Sequence, residues 1–239
     1  MIGLMRVKNE ERWIERAAKS LLRACERVVV MDDHSTDKTP EICLDLGCLV
    51  YRSPFPDMDE ARDKTWLVQQ AYEAGILRSG AAALMIDGDE ELVAGDEALI
   101  ESALAQYDAV ALRILYLWDD EHHIRTDGVY GRFWRPSAWI CRSAAEDSFV
   151  SIGSSNQGLH CSNVPARCAG RSLRCQARLL HYGYMLREDR ERKYRWYNSI
   201  DPNNAFEDCY RHIVIGDLFP AASKFRHAGP LEVQPWLFA

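Results

Sequence analysis

Two aspartates separated by one glycine follow a short apolar run near the middle of the chain. In the stretch Ala82–Leu92 the apolar residues end directly at Asp87, Gly88 and Asp89. An apolar run of this length is typical of a strand that is buried on both faces of a parallel sheet. Such sheets bind ligands beyond the carboxyl ends of their strands, and carboxylates are oxygen ligands that suit Mg²⁺ or Mn²⁺. The pattern therefore predicts a site for a metal-bound diphosphate.

Two earlier strands are also predicted to end in polar clusters. The apolar run Ile2–Val7 stops at the sequence KNEE, and Arg27–Met31 stops at DDHSTD. Segments with helical spacing of apolar residues separate these strands, and a further strand is predicted at Cys48–Tyr51. This alternation predicts an α/β fold with a parallel sheet and right-handed crossovers. Polar ends on three strands of one sheet edge indicate a binding site there.

The regular alternation stops after the strand predicted at Ala109–Trp118. We predict a charged turn at residues 119–127, aromatic strands separated by Pro136, a polar loop at residues 143–164 and strand character at Leu173–Tyr184. The basic and aromatic helix predicted at Arg187–Tyr197 mixes both signs of charge, which favours a solvated helix. The alternative is a peripheral helix that meets an anionic lipid-linked acceptor at a membrane surface.

Composition limits the classes of partner. The chain has 239 residues and a formal net charge of −7, which argues against nucleic acid as a partner. It contains no apolar run long enough to span a membrane, and Met1–Val7 is too short for the apolar core of a secretory signal. We therefore expect a cytoplasmic protein whose eight cysteines are reduced. A structural zinc at His160, Cys161, Cys168 and Cys175 is an alternative, although their spacing is not a usual zinc pattern.

Three stretches in this order resemble the inverting glycosyltransferases of family 2: MRVKNEERWIERAAKSLL, VVVMDDHSTDKTPEI and ALMIDGDEEL. The second half resembles the family more loosely, through GRFWR and LLHYGYM. The resemblance implies the GT-A fold, a Rossmann-like and mostly parallel sheet flanked by helices, with a mixed α+β acceptor-side half. We expect a single domain over residues 1–239, with a nucleotide-sugar-binding half at 1–118 and an acceptor-binding half at 119–239.

The resemblance also implies an activity, which is the transfer of a sugar from a UDP-, GDP- or dTDP-sugar to an acceptor hydroxyl with inversion. The acceptor is a small molecule, a glycan or a lipid-linked group. At the positions that match the family's motifs, the resemblance implies that Asp33 contacts the base, Asp87 faces the ribose and Asp89 binds Mn²⁺ or Mg²⁺. The positions that the resemblance assigns to the nucleotide sugar are Arg6, Lys8, Glu10, Asp33, Arg62 and Asp87.

Inversion needs a general base, usually a carboxylate, that takes the proton of the acceptor hydroxyl. Glu146 and Asp147 resemble the acidic pair of the family, and Asp127 before GRFWR is another candidate. A related subgroup has a His-Glu pair where this chain has His160 and Cys161, so here the glutamate is missing. For each of these acids the alternative is a solvated loop carboxylate.

The roles of His181 and of a group of aromatic and arginine residues are open. The resemblance allows His181 to be a second metal ligand, because some relatives recruit a histidine from a late strand; otherwise it is a buried imidazole bonded to a backbone carbonyl. The side chains of Arg132, Trp134, Arg135 and Trp139 would suit an acceptor site, where aromatic faces stack on sugars, or a core strand with exposed arginines.

Functions from other classes remain alternatives. A haloacid-dehalogenase-type phosphohydrolase also has a D-x-D after an apolar strand, but there the pair lies on the first strand, not the fourth. A sugar nucleotidylyltransferase needs a glycine-rich first loop, which this chain lacks. A non-catalytic nucleotide-sugar-binding protein is the remaining alternative, because the general base is not identified.

Overall fold

The computed structural model describes residues 1–151, 160–168, 170–202, 204 and 208–236. Its strands, in chain order, are β1 (Ile2–Val7), β2 (Arg27–Asp32), β3 (Leu49–Arg52), β4 (Ala82–Met85), β5 (Glu90–Leu92), β6 (Ala109–Trp118), β7 (Asp120–Arg125), β8 (Trp134–Ile140), β9 (Leu173–His181) and β10 (Val233–Pro235). Its α-helices are α1 (Ile14–Ala24), α2 (Thr39–Asp45), α3 (Glu60–Glu73), α4 (Glu97–Leu104) and α5 (Arg187–Ile200). Short 3₁₀ helices lie at Tyr130–Arg132, Ala166–Cys168 and Asp208–Val214.

The chain forms two compact units that alternate along the sequence. The first contains Met1–Arg113 and Trp134–Leu179, and the second contains Ile114–Phe133 and Leu180–Ala239. Strand β6 crosses from the first range into the second. The division into a donor half and an acceptor half at residues 118 and 119 concerns function, and it stays a prediction.

The first unit is built on a sheet with the order β8-β4-β1-β2-β3. Strand β1 is parallel to β2, with Val7 beside Asp32, and parallel to β4, with Leu4 beside Met85. Strand β8 is antiparallel to β4 and borders the beginning of β6. Parallel strands share the edge at which they end, so the segments after β1, β2 and β4 begin side by side. The predicted α/β class is confirmed, and the parallel part consists of β4, β1, β2 and β3.

The apolar runs of β1, β2 and β4 are buried because helices cover both faces of this sheet. One continuous apolar cluster includes Leu4, Val29, Met31, Met85 and Leu67 of α3. Helix α3 begins at a capping residue, since the side chain of Asp59 accepts a hydrogen bond from the backbone N–H of Arg62.

The structure differs from the sequence-based elements in three places. The segment predicted as a charged turn, residues 119–127, contains β7, which pairs with β6 and β10. Pro136 does not separate two strands but lies inside β8, where the register with β6 shifts. Residues 90–92 form the short strand β5, which pairs with β9. Part of the predicted polar loop, residues 152–159, lies outside the described residues.

The second unit is organised around a tryptophan between two buried arginines. The guanidinium of Arg125 lies 4.7 Å from the ring centroid of Trp118, and that of Arg190 lies 4.1 Å from it. Arg190 also forms an ion pair with Asp217 and donates hydrogen bonds to two backbone carbonyls. Within the described part of the chain, no helix is both long enough and apolar enough to cross a membrane.

Candidate functional site

The ends of β1 and β2 are joined by a buried ion pair. Arg6 of β1 donates from Nη2 to Asp33 Oδ2 at 2.7 Å and from Nε to Asp63 Oδ2 at 2.9 Å. The side chain of Asp33 is only 2 % exposed. Lys8 lies 3.4 Å from the same carboxylate oxygen, and its own side chain is 45 % exposed. The structure therefore brings together three of the predicted nucleotide-sugar-binding residues, Arg6, Lys8 and Asp33.

Arg62 joins this cluster through Asp63. Its guanidinium donates to Asp63 Oδ1 from Nε at 3.0 Å and from Nη2 at 2.9 Å. It also pairs with Asp57 and lies 4.0 Å from the ring centroid of Phe55. The neighbouring aspartates raise the pKa of Arg62 although its partial burial opposes this. Asp63 thus links Arg6 and Arg62, and the sequence pattern did not identify it.

The glycine between the two central aspartates lies close to the end of β1. A Cβ atom at Gly88 would lie 3.0 Å from Val7 Cγ1 and 3.1 Å from Glu10 Cγ. Glu10 is half-buried, and its backbone N–H donates to Thr39 Oγ1 at 2.8 Å. The predicted residue Glu10 therefore lies directly against the D-G-D turn.

Arg135 of β8 bridges two acids of this turn. It donates from Nη1 to Asp87 Oδ2 at 2.6 Å and from Nη2 to the carboxylate of Glu90. Glu90 in turn accepts a hydrogen bond from the backbone N–H of Asp87 at 3.0 Å. The side chain of Asp87 is 42 % exposed, whereas Asp89 and Glu90 are buried. Arg135, one of the residues with an open interpretation, therefore lies against the D-G-D turn, and its role at an acceptor site stays a prediction.

Asp147 and Glu146, the predicted acidic pair, have different surroundings. Asp147 is fully buried and accepts hydrogen bonds from Arg167 at 2.6 Å and from the hydroxyl of Tyr72 at 2.7 Å. Burial and this carboxylate raise the pKa of Tyr72, so the phenol stays a donor. The solvated-loop alternative is therefore wrong for Asp147, and its contacts favour a structural role. Glu146 is 53 % exposed and accepts from Ser143 Oγ at 2.9 Å.

Asp127 and His160 lie in different units. Asp127 belongs to the second unit, where Arg125 donates to both of its oxygens at 2.7 Å and 2.9 Å. The pair is buried, so the solvated alternative is wrong for Asp127 as well. His160 is half-buried in the first unit. Burial raises the pKa of the adjacent Cys161 thiol to about 12, which leaves it protonated at neutral pH and unable to replace the missing glutamate as a base.

His181 lies among aromatic rings of the second unit. Its ring centroid is 5.0 Å from that of Tyr116 and 4.7 Å from that of Tyr184, both in edge-to-face arrangements. Asp89, its predicted partner in metal binding, belongs to the first unit. The role of His181 as a metal ligand stays a prediction.

The residues that the structure describes include no group of three or more His, Cys, Asp or Glu side chains that could hold a metal ion. The eight cysteines are free thiols. Asp87 and Asp89 provide carboxylate oxygens, which are the ligands that Mg²⁺ and Mn²⁺ prefer. Two carboxylates leave most of a six-coordinate shell to other oxygen atoms, such as those of phosphates and water.

One family model matches the first part of the chain. The model of the family described as "Glycosyl transferase family 2" matches residues 4–73. This range contains most of β1 and all of β2 and α3, with Arg6, Lys8, Glu10, Asp33 and Arg62. It ends before the D-G-D turn. A comparison with curated proteins gave no match.

Solved structures similar to this chain include two bacterial proteins. S. aureus TarS 1-349 is 15% identical over 91% of this chain and 70% of its own, with a TM-score of 0.47, and has also been solved with UDP-GlcNAc. M. tuberculosis glucosyl-3-phosphoglycerate synthase is 17% identical over 48% of this chain and 44% of its own, with a TM-score of 0.35. The latter has been solved with Mn²⁺, UDP-glucose and phosphoglyceric acid.

Proposed function

We propose, from the match of residues 4–73 to the model of glycosyl transferase family 2, that this chain transfers a sugar from a nucleoside diphosphate sugar to an acceptor hydroxyl. The acceptor is a small molecule, a glycan or a lipid-linked group. The transfer proceeds with inversion and uses Mn²⁺ or Mg²⁺. Asp33 accepts a hydrogen bond from the base, Asp87 faces the ribose, and Asp89 is the principal protein ligand of the metal.

The observation that supports this proposal is the shared edge of β1, β2 and β4. Residues that are far apart in sequence, Arg6, Asp33 and Asp63, form one ion-paired cluster at the ends of β1 and β2. The D-G-D turn after β4 lies against the end of β1, through the close approach of Gly88 to Val7. An extended ligand such as a nucleoside diphosphate could then contact Asp33 and Asp87 together.

The carboxylates of this turn suit a divalent cation, and the phosphates of the donor would complete its coordination. When bound, the cation neutralises the negative charge that develops on the departing diphosphate. Asp89 would hold the cation, and Asp87 and Glu90 keep their positions through Arg135. Lys8 supplies a further positive charge that is accessible to solvent.

Glu146 is the candidate base whose surroundings suit proton transfer best. Its carboxylate is more than half exposed, whereas the carboxylates of Asp127 and Asp147 are buried and held by arginines. A base must reach the proton that it removes, and a carboxylate bound on several sides is poorly able to do so. We retain His160 as the alternative.

Replacement of Asp33 by Ala should weaken donor binding more than it slows the chemical step. The reason is that Asp33 contacts the base, which lies away from the reacting carbon in any nucleoside diphosphate sugar. Loss of one hydrogen bond to a charged group predicts a rise in KM of about tenfold to a hundredfold, with kcat largely restored at saturating donor. A kcat defect that persists at saturation would assign Asp33 another role.

One assay separates this function from its alternatives. The chain is incubated with UDP-, GDP- and dTDP-sugars plus Mn²⁺, and in parallel with a simple phosphomonoester. A glycosyltransferase releases the nucleoside diphosphate from a sugar donor, even slowly to water, and leaves the phosphomonoester intact. Cleavage of the phosphomonoester would indicate a phosphohydrolase. Nucleotide binding without release of any sugar would indicate a non-catalytic binding protein.

A further inference from the structure

A buried lysine and an asparagine lie directly behind Asp87. Lys64 of α3 and Asn163 are 4 % and 1 % exposed. Lys64 Nζ donates to Asn163 Oδ1 at 2.8 Å, and Asn163 Nδ2 lies 3.4 Å from both Asp87 Oδ1 and the backbone carbonyl oxygen of Met85. These contacts join the 160–168 segment to the end of β4.

The chemistry of the three side chains fixes the orientation of the amide. An ammonium group only donates hydrogen bonds, and an ionised carboxylate only accepts them. Asparagine between them must therefore turn its oxygen toward Lys64 and its NH₂ group toward Asp87. The two N–H groups match the two acceptors, Asp87 Oδ1 and the Met85 carbonyl.

The lysine keeps its charge although it is buried. Burial disfavours the ammonium form, but the attraction of nearby groups, Glu60 first, raises the pKa of Lys64 overall. Glu60 lies 3.4 Å from Lys64 Nζ and also accepts from the backbone N–H of Cys161 at 3.1 Å. The charged lysine therefore holds Asn163 in one orientation at neutral pH.

We propose that Lys64 and Asn163 are positioning residues that fix the carboxylate of Asp87 for the ribose of the donor. Arg135 holds one oxygen of this carboxylate and Asn163 holds the other. With both oxygens held from the protein side, the carboxylate keeps one rotamer and its remaining lone pairs face the ligand. This inference rests on the proposed function, because it assumes that Asp87 contacts the donor.

The test compares Asn163→Ala and Asn163→Asp with Asn198→Ala. Asn163→Asp still accepts from Lys64 but turns a second carboxylate oxygen toward Asp87. We expect about a tenfold rise in donor KM for Asn163→Ala and a larger rise for Asn163→Asp, with kcat within about twofold of the unchanged chain. Asn198 donates to two backbone carbonyls in the second unit, so its variant controls for loss of a structural amide and should keep the original KM.

Crystal structures of the two Asn163 variants without donor provide the second measurement. The positioning role predicts that Asp87 leaves its present rotamer in Asn163→Asp while Lys64 stays in place. An unmoved Asp87, or a donor KM unchanged in Asn163→Asp, would overturn the inference. If the unchanged chain binds no UDP, GDP or dTDP, the proposed function fails, and the rotamer of Asp87 still decides the positioning role.

Discussion

Replacement of Asp89 by Asn is expected to lower kcat/KM for sugar transfer by about a thousandfold, the scale of losing a preorganised electrostatic contact to a developing charge. Asparagine keeps the size and polarity of the buried side chain, so the fold should survive, as thermal unfolding can show. It lacks the negative charge that binds a hard cation strongly. Initial rates across a Mn²⁺ titration should show loss of turnover and a higher metal requirement.

Glu91 provides the matched control for this variant. It is two residues further along, and its carboxylate lies 3.8 Å from Arg16 in a partly exposed pair. Glu91→Gln removes the same charge from the same turn region and should change kcat/KM by less than about twofold, as expected for a weak surface pair. Full turnover by Asp89→Asn in the presence of a chelator would show that Asp89 is not a ligand of a catalytic metal.

The second large effect is expected on stability. Arg125→Met should lower the free energy of unfolding by about 3–5 kcal/mol, because it leaves the carboxylate of Asp127 buried without its partner. The side chains of Arg125 and Asp127 are almost fully buried, and two hydrogen bonds join them. Urea denaturation of the variant measures the change. The double variant Arg125→Met/Asp127→Leu should recover part of the loss, since no buried charge then remains.

A variant of the same pair tests whether Asp127 acts as a base. If its role is structural, Asp127→Asn loses stability, and its kcat at a temperature where it is folded stays close to that of the unchanged chain. A large loss of kcat without loss of stability would instead support catalysis. The exposed pair of Arg142 and Asp108 is the control, and Arg142→Met should cost less than about 1 kcal/mol.

The local pattern of apolar and polar residues was sufficient to predict most strands of the first unit. Strands β1 and β6 begin and end where the apolar runs do, at Ile2–Val7 and Ala109–Trp118. The reason is that strands buried on both faces show a nearly continuous apolar run with polar stops. Strand β7 was missed because its sequence, DEHHIR, is mostly polar and it is held by pairing with β6 and β10 instead of by burial.

The site was predictable where it follows strand ends and unpredictable where it depends on tertiary contacts. Asp33 and Asp87 each follow an apolar run, so their position at one edge could be deduced from the parallel order. Arg135 and Asn163 reach the same edge from segments 48 and 76 residues beyond Asp87, and nothing in their local sequence indicates this. Asp63 is likewise buried within a helix whose pattern shows only that one face is apolar.

Isothermal titration of the chain with UDP, GDP and dTDP in the presence of Mn²⁺ measures directly whether the edge formed by β1, β2 and β4 binds a nucleoside diphosphate. We expect that at least one of these nucleotides binds with a one-to-one stoichiometry, that Mn²⁺ strengthens the binding, and that Asp33→Ala weakens it. Absence of binding by all three nucleotides, or binding that is the same in the unchanged chain and in Asp33→Ala, would contradict it.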